Sequence, residues 1–160
     1  MSMVVSASLV FGYDLGGPEV KDGWQVNEVD ENDFLRLPWF DEEDADLDVQ
    51  TFADYANNFI AEELGRFSKL TDIPASDRMG VAMKSAGVEV HAAGFDSERY
   101  LLITHKISTT PSFVEAINFR ELATMQVESA WASRLAVALK VMGLTPFAEV
   151  PRWMLVADYD

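Results

Sequence analysis

The sequence predicts an α+β fold: a mostly antiparallel sheet of four or five strands with two main helices packed on one face. Three observations lead there. Short alternating apolar runs open the chain, recur in its middle and close it; two long stretches carry apolar residues at spacings of three and four; and 160 residues suit one domain of roughly 100 to 200. No repeat, linker or low-complexity tail divides the chain, so residues 1–160 are read as one unit.

In chain order, Val4 to Tyr13 reads VVSASLVFGY, with Val5, Ala7, Leu9 and Phe11 alternating against smaller or polar neighbours as in a half-buried strand. Gly16, Gly17 and Pro18 end it. A short second strand is predicted from Trp24 to Val29. From about residue 30 to 48 the pattern dissolves into an acidic loop, interrupted by FLRLPWF, whose Phe34, Leu35, Leu37, Trp39 and Phe40 read as an apolar plug on the core. Loops beyond about 12 to 15 residues are uncommon in compact domains and often functional. Val49, Phe52, Ala56, Phe59, Ile60, Leu64 and Phe67 then trace an amphipathic helix from about Asp48, its predicted cap, to Phe67.

Ser76 is predicted to cap a short helix ending at Ala86, which Gly87 closes. GVEVHAAG and RYLLITHKIS, joined by FDSE, read as a hairpin over about 88–108. Asn118 is placed to cap a long helix, Phe119 to Met142. Its stripe is Trp131, Leu135, Ala138, Leu139 and Met142, extended by Leu122, Ala123, Val127 and Ala130, and Gly143 stops it. A last strand follows Pro151, pairing with the first strand or with the hairpin.

Charge is distributed unevenly. Residues 1–63 hold 16 acids and 2 bases, net −14, whereas residues 64–160 hold 11 acids and 10 bases, net −1, which together make the formal −15. Nucleic acid rewards Lys and Arg that displace counterions, so it is a poor direct ligand for the first region; a basic protein fits better. Cysteine is absent, which excludes disulfides, thiolate metal sites and a Cys nucleophile. The apolar start from Met3 to Phe11 is too short to span a bilayer and lacks a basic lead-in, so no membrane segment is expected.

Catalytic and metal patterns match poorly. Asp44, Asp46 and Asp48 alternate like the first ligands of a calcium loop, but its sixth position is Val49 instead of Gly and its twelfth is Tyr55 instead of a bidentate carboxylate. His91, His105 and Glu89 have zinc-ligand chemistry without a zinc motif, and solvent-facing sheet residues are the plainer reading. A hydrolase using either imidazole as base would need it in a pocket beside a carboxylate or hydroxyl. GxSxG is missing, and Gly12, Gly16 and Gly17 do not match GxGxxG; a turn accounts for them. No enzyme, cofactor or metal site is therefore predicted.

WFDEEDADLDVQTF places six carboxylates between Asp41 and Asp48 with no base among them. Asp46 and Asp48 would favour a helix N-terminus by about 0.3–1 kcal/mol each, but Asp41 to Asp44 lie too far upstream. A solvated face that only aids solubility is the plain alternative. The functional reading is a contact surface in which acids steer encounter and aromatics anchor it. Its expected contacts are Trp39, Phe40, Asp41, Glu42, Glu43, Asp44 and Asp46.

FGYDLGGPE, LPWFDEED and GLTPFAEVPRWMLVADY together resemble a set of small acidic proteins of tailed bacteriophages that infect actinobacteria. The resemblance spans most of the chain and carries no activity or site residues. It implies synthesis in a bacterial cytoplasm and two kinds of work. One is binding and inhibiting a basic host protein, a defence or nucleic-acid enzyme, as a non-enzymatic nucleic-acid mimic; the other is joining the virion or its assembly.

Overall fold

The computed structural model describes residues 5–94 and 98–159, so Val4 and residues 95–97, where the sequence predicts a turn, lie outside it. Four strands form one antiparallel sheet in the order β4-β5-β1-β6: β1 is Val5–Gly16, β4 Glu89–Ala93, β5 Arg99–Thr109 and β6 Arg152–Tyr159. The two short strands between β1 and β4, β2 (Arg36–Leu37) and β3 (Phe40–Asp41), pair only with each other. Helices α1 (Phe52–Glu63), α2 (Arg78–Ala86), α3 (Phe119–Glu128) and α4 (Trp131–Met142) complete the α+β architecture. The last strand pairs with β1 along its length and meets the hairpin region at a single bridge among the described residues.

Alternation along β1 separates two apolar faces. Phe11, Tyr13 and Leu15 join Val90, Tyr100 and Leu102 under Phe52, Ala56 and Ile60 of α1 and Trp131, Leu135, Ala138 and Met142 of α4. The opposite face has its own small cluster of Val10, Ala93, Leu101 and Ile103, flanked by Met154 and Val156. Among the described residues no helix residue joins that cluster. The sheet coils over it, as the right-handed strand twist favours, until Gly94 of the β4 side forms a parallel bridge with Asp158 of β6.

A β-bulge sets which residues reach each face. Phe11 pairs with His105 but Gly12 with Ile103, so Thr104 has no partner in β1. One extra residue reverses the alternation of β5: Leu102 and His105 both face the helices, while Ile103 and Lys106 face the coiled side. Gly12 is required at this point, since a Cβ there would lie 1.8 Å from the Leu102 carbonyl oxygen. Of the turn glycines, Gly16 has a positive φ of 71°, and Gly17 passes close to the Glu98 carbonyl.

Several boundaries differ from the sequence expectation. Trp24–Val29 is not a strand of the sheet; it makes single bridges, Trp24 to Gly16, Val26 to Pro146 and Val29 to Leu35. Helix α1 begins after Thr51, not Asp48, because Thr51 and Asp54 form a reciprocal capping box that satisfies two amides at once. Val49 consequently lies outside the helix and 80% exposed. Ser76 does not cap α2, which starts at Arg78 without a side-chain cap, whereas Gly87 and Gly143 close α2 and α4 in the left-handed conformation as expected. The predicted 119–142 helix is two helices. Asn118 caps the first through the Glu121 amide, and the break falls at Ala130, which is left-handed. A straight helix of that length would run about 36 Å; the break lets Leu122 and Met125 turn back onto the core and leaves Ala123, Val127 and Ala130 exposed.

Candidate functional site

The acidic segment is more ordered than a loop. Leu37 pairs with Phe40 and Arg36 with Asp41 in the small β2–β3 hairpin. As expected for a plug, Leu35, Leu37 and Phe40 are buried and Trp39 packs against them. Trp39 stacks on Phe59 at 4.7 Å and on Phe52 at 5.9 Å between ring centroids, and its Nε1 donates to the Met142 carbonyl at 2.8 Å. Such aromatic pairs add about 0.5–1.5 kcal/mol each beyond buried area.

That packing divides the seven expected contact residues. Phe40, 4% exposed, faces the core, and Trp39 is half-buried with its indole committed. Neither ring is presented to a partner; both fasten the segment to the fold. Asp41 and Glu43 pair with Arg36, which also reaches Asp30 at 2.9 Å. Glu42 accepts from Trp24 Nε1 and from the Leu35 amide. Asp44 and Asp46 are exposed, as is Asp48, and none of the three forms an ion pair among the described residues. The like-charge crowding from Asp41 to Glu43 is thus relieved by one guanidinium five residues upstream. Arg36 and Lys21 are the only bases in residues 1–63, a rarity visible in the sequence that marks Arg36 as the counterion of this segment.

The two histidines lie on opposite faces. His105 stacks on Trp131 at 4.8 Å, and burial holds its pKa below the usual imidazole range. His91 faces the coiled side, where its Nε2 is 3.0 Å from Asp158 Oδ1 and 3.1 Å from Oδ2. They cannot share a metal with Glu89, and among the described residues no three carboxylate, imidazole or thiol groups converge on one point. The Asp44, Asp46, Asp48 alternation forms no such cluster either.

A second constellation surrounds His91. Ser8 Oγ donates to Asp158 Oδ2 at 3.1 Å and lies 2.8 Å from Ser108 Oγ. Ser8 has one proton and Asp158 receives it, so Ser108 is the donor to Ser8. His91, Ser108 and Asp158 edge a cavity of about 270 Å³ on the coiled face. His91 therefore does stand in a pocket beside a carboxylate and hydroxyls. The order is hydroxyl, carboxylate, imidazole, however, and a nucleophile activated by histidine needs the imidazole in the middle. The hydroxyl bonded to Asp158, that of Ser8, is buried and gives its proton to the carboxylate. The sequence concealed this group because its members come from β1, β4, β5 and β6.

No family model matches the chain, and no curated protein or solved structure matches it. No helix among the described residues is long and apolar enough to cross a membrane.

Proposed function

We propose that this is a non-enzymatic binding protein whose acidic amino-terminal segment engages a basic protein, and that its work is to inhibit a host defence or nucleic-acid enzyme in the bacterial cytoplasm during phage infection. The observation that carries the reading is the contrast within the segment. Asp44, Asp46 and Asp48 are exposed and uncompensated, on a backbone held by buried aromatics and by Arg36. A charged loop already fixed in shape loses little entropy on binding, and its carboxylates steer a basic partner from a distance. The contact set is accordingly Asp44, Asp46 and Asp48, with Trp39 and Phe40 in a supporting role.

The test is affinity capture from an actinobacterial lysate with wild type and with Asp44→Lys/Asp46→Lys/Asp48→Lys, at low and high salt. Basic proteins captured by wild type should be lost in the variant and at high salt. Capture that is equal in all conditions rejects the reading.

A second reading, a virion or assembly component, is favoured by the apolar surface of the carboxy-terminal half. Phe113, Val114, Phe119, Val127 and Leu155 are 69–95% exposed, and β6, the last strand of the sheet, is bridged on its outer side at Asp158 alone among the described residues, which leaves the remaining edge able to accept another strand. Mass spectrometry of purified particles separates the two: a stoichiometric presence in virions favours assembly, and absence favours the inhibitor.

A further inference from the structure

We propose that the mouth of the coiled sheet face, between β4 and the end of β6, binds a small oxyanion, a phosphate or carboxylate group received by Lys106 and the hydroxyls of Ser6 and Thr110. This goes beyond the acidic-face reading and does not depend on it, because no residue lining the cavity comes from residues 17–63.

Around the cavity the carboxylate is engaged and the ammonium is not. Asp158 is its one carboxylate, and both oxygens are already engaged by His91, with Oδ2 also accepting from Ser8. The His91–Asp158 pair is mostly buried, with side chains 15% and 13% exposed, so this acceptor is withdrawn from an incoming ligand. Lys106 is the opposite case: it lines the cavity, is exposed, and has no carboxylate within 4 Å among the described residues. Its ammonium brings three donors and no acceptor. Ser6 and Thr110 add hydroxyls with no side-chain partner among the described residues. Lys106 is the cation at the mouth with no carboxylate partner among the described residues, and its ammonium offers donors alone, the complement of an oxyanion.

The bulge at Thr104 is what makes the arrangement. Without it Lys106 would point to the helix side. With it, Lys106 pairs opposite Val10, Ser108 opposite Ser8 and Asp158 opposite Ser6, so that these polar groups share a sheet face with the buried cluster of Val10, Leu101 and Ile103. A volume of about 270 Å³ suits a small anion or the charged end of a larger molecule.

The experiment is a titration of the full chain, followed by amide chemical shifts, with inorganic phosphate, with sodium acetate and with sodium chloride at matched ionic strength. Saturable shifts at Ser6, His91, Lys106 and Thr110 are expected with phosphate or acetate and not with chloride, and the anion that saturates identifies the group. Lys106→Met should weaken binding at least tenfold, whereas Lys140→Met on α4 should leave it unchanged. Thr110→Val gives a second reading should Lys106→Met lose its fold, and is expected to weaken binding severalfold. Responses to phosphate and acetate that match chloride, or binding undiminished in a folded Lys106→Met or Thr110→Val variant, overturn the proposal.

Discussion

Glu42 holds Trp24: the indole Nε1 donates to Oε2 at 2.8 Å, and the Leu35 amide donates to the same oxygen at 2.7 Å. Trp24 is 7% exposed and Leu35 fully buried, so a residue that reads as one more surface acid is an internal acceptor. Removing it strands two donors, and an unsatisfied buried donor costs about 1–3 kcal/mol. Glu42→Ala should lower stability by about 2 kcal/mol in urea unfolding, and Glu42→Gln, which keeps a carbonyl oxygen, by less than half of that. Equal midpoints for Glu42→Ala and wild type would show that the carboxylate is not structural.

Gly12 should tolerate no side chain. A Cβ at this position would meet backbone, the Leu102 carbonyl oxygen at 1.8 Å, which cannot swing aside as a flexible side chain would. Gly12→Ala is expected to destabilise the protein by about 3 kcal/mol, the upper end for overpacking, through loss of the β1–β5 bulge. A crystal structure of a stable Gly12→Ala protein with the bulge intact would contradict this.

Ala130 offers the opposite outcome. It is exposed, with φ 50° and ψ 47°, a conformation costing a non-glycine residue about 1–2 kcal/mol. Glycine removes that cost but adds unfolded-state entropy of about 0.4–1 kcal/mol. Ala130→Gly should therefore gain about 0.5 kcal/mol, read as a higher melting temperature. A lower one means the break between α3 and α4 is held by something besides backbone preference.

His105 gives a pH dependence whose sign follows from burial. Its folded pKa is lowered, so the unfolded chain binds the proton more readily. The neutral imidazole's contribution is then complete above the unfolded value of about 6.5 and is lost as pH falls through the folded one. His105→Phe keeps a ring against Trp131 and should flatten the loss of stability as pH falls below about 6.5. Proton NMR of the wild-type imidazole should show a midpoint under about 6.5; a midpoint above that range contradicts the burial argument.

Periodicity made much of the fold legible. Phe52, Ala56 and Ile60 mark the buried side of α1, and Trp131, Leu135, Ala138 and Met142 that of α4, because a helix repeats its face every three to four residues wherever it is placed. The strands Val5–Gly16 and Arg152–Tyr159 were visible as alternating runs, but the facing at the start of β1 was not: Ser6 and Ser8 are buried and Val5 and Ala7 exposed. Caps were less legible: Asp48 has the right chemistry, but only Thr51 has Asp54 three residues on to complete the reciprocal bond.

By itself the sequence determined the α+β class, the apolar faces of the main helices and the concentration of negative charge in residues 1–63, since each depends on neighbours along the chain. Tertiary structure alone decided which acids are internal acceptors, that Trp39 and Phe40 turn inward, and that His91 meets Asp158 across 67 positions. The first two follow from the packing of the β2–β3 hairpin against α1 and the last from the coiling of the sheet that brings the β4 side to β6, contacts between segments far apart in sequence.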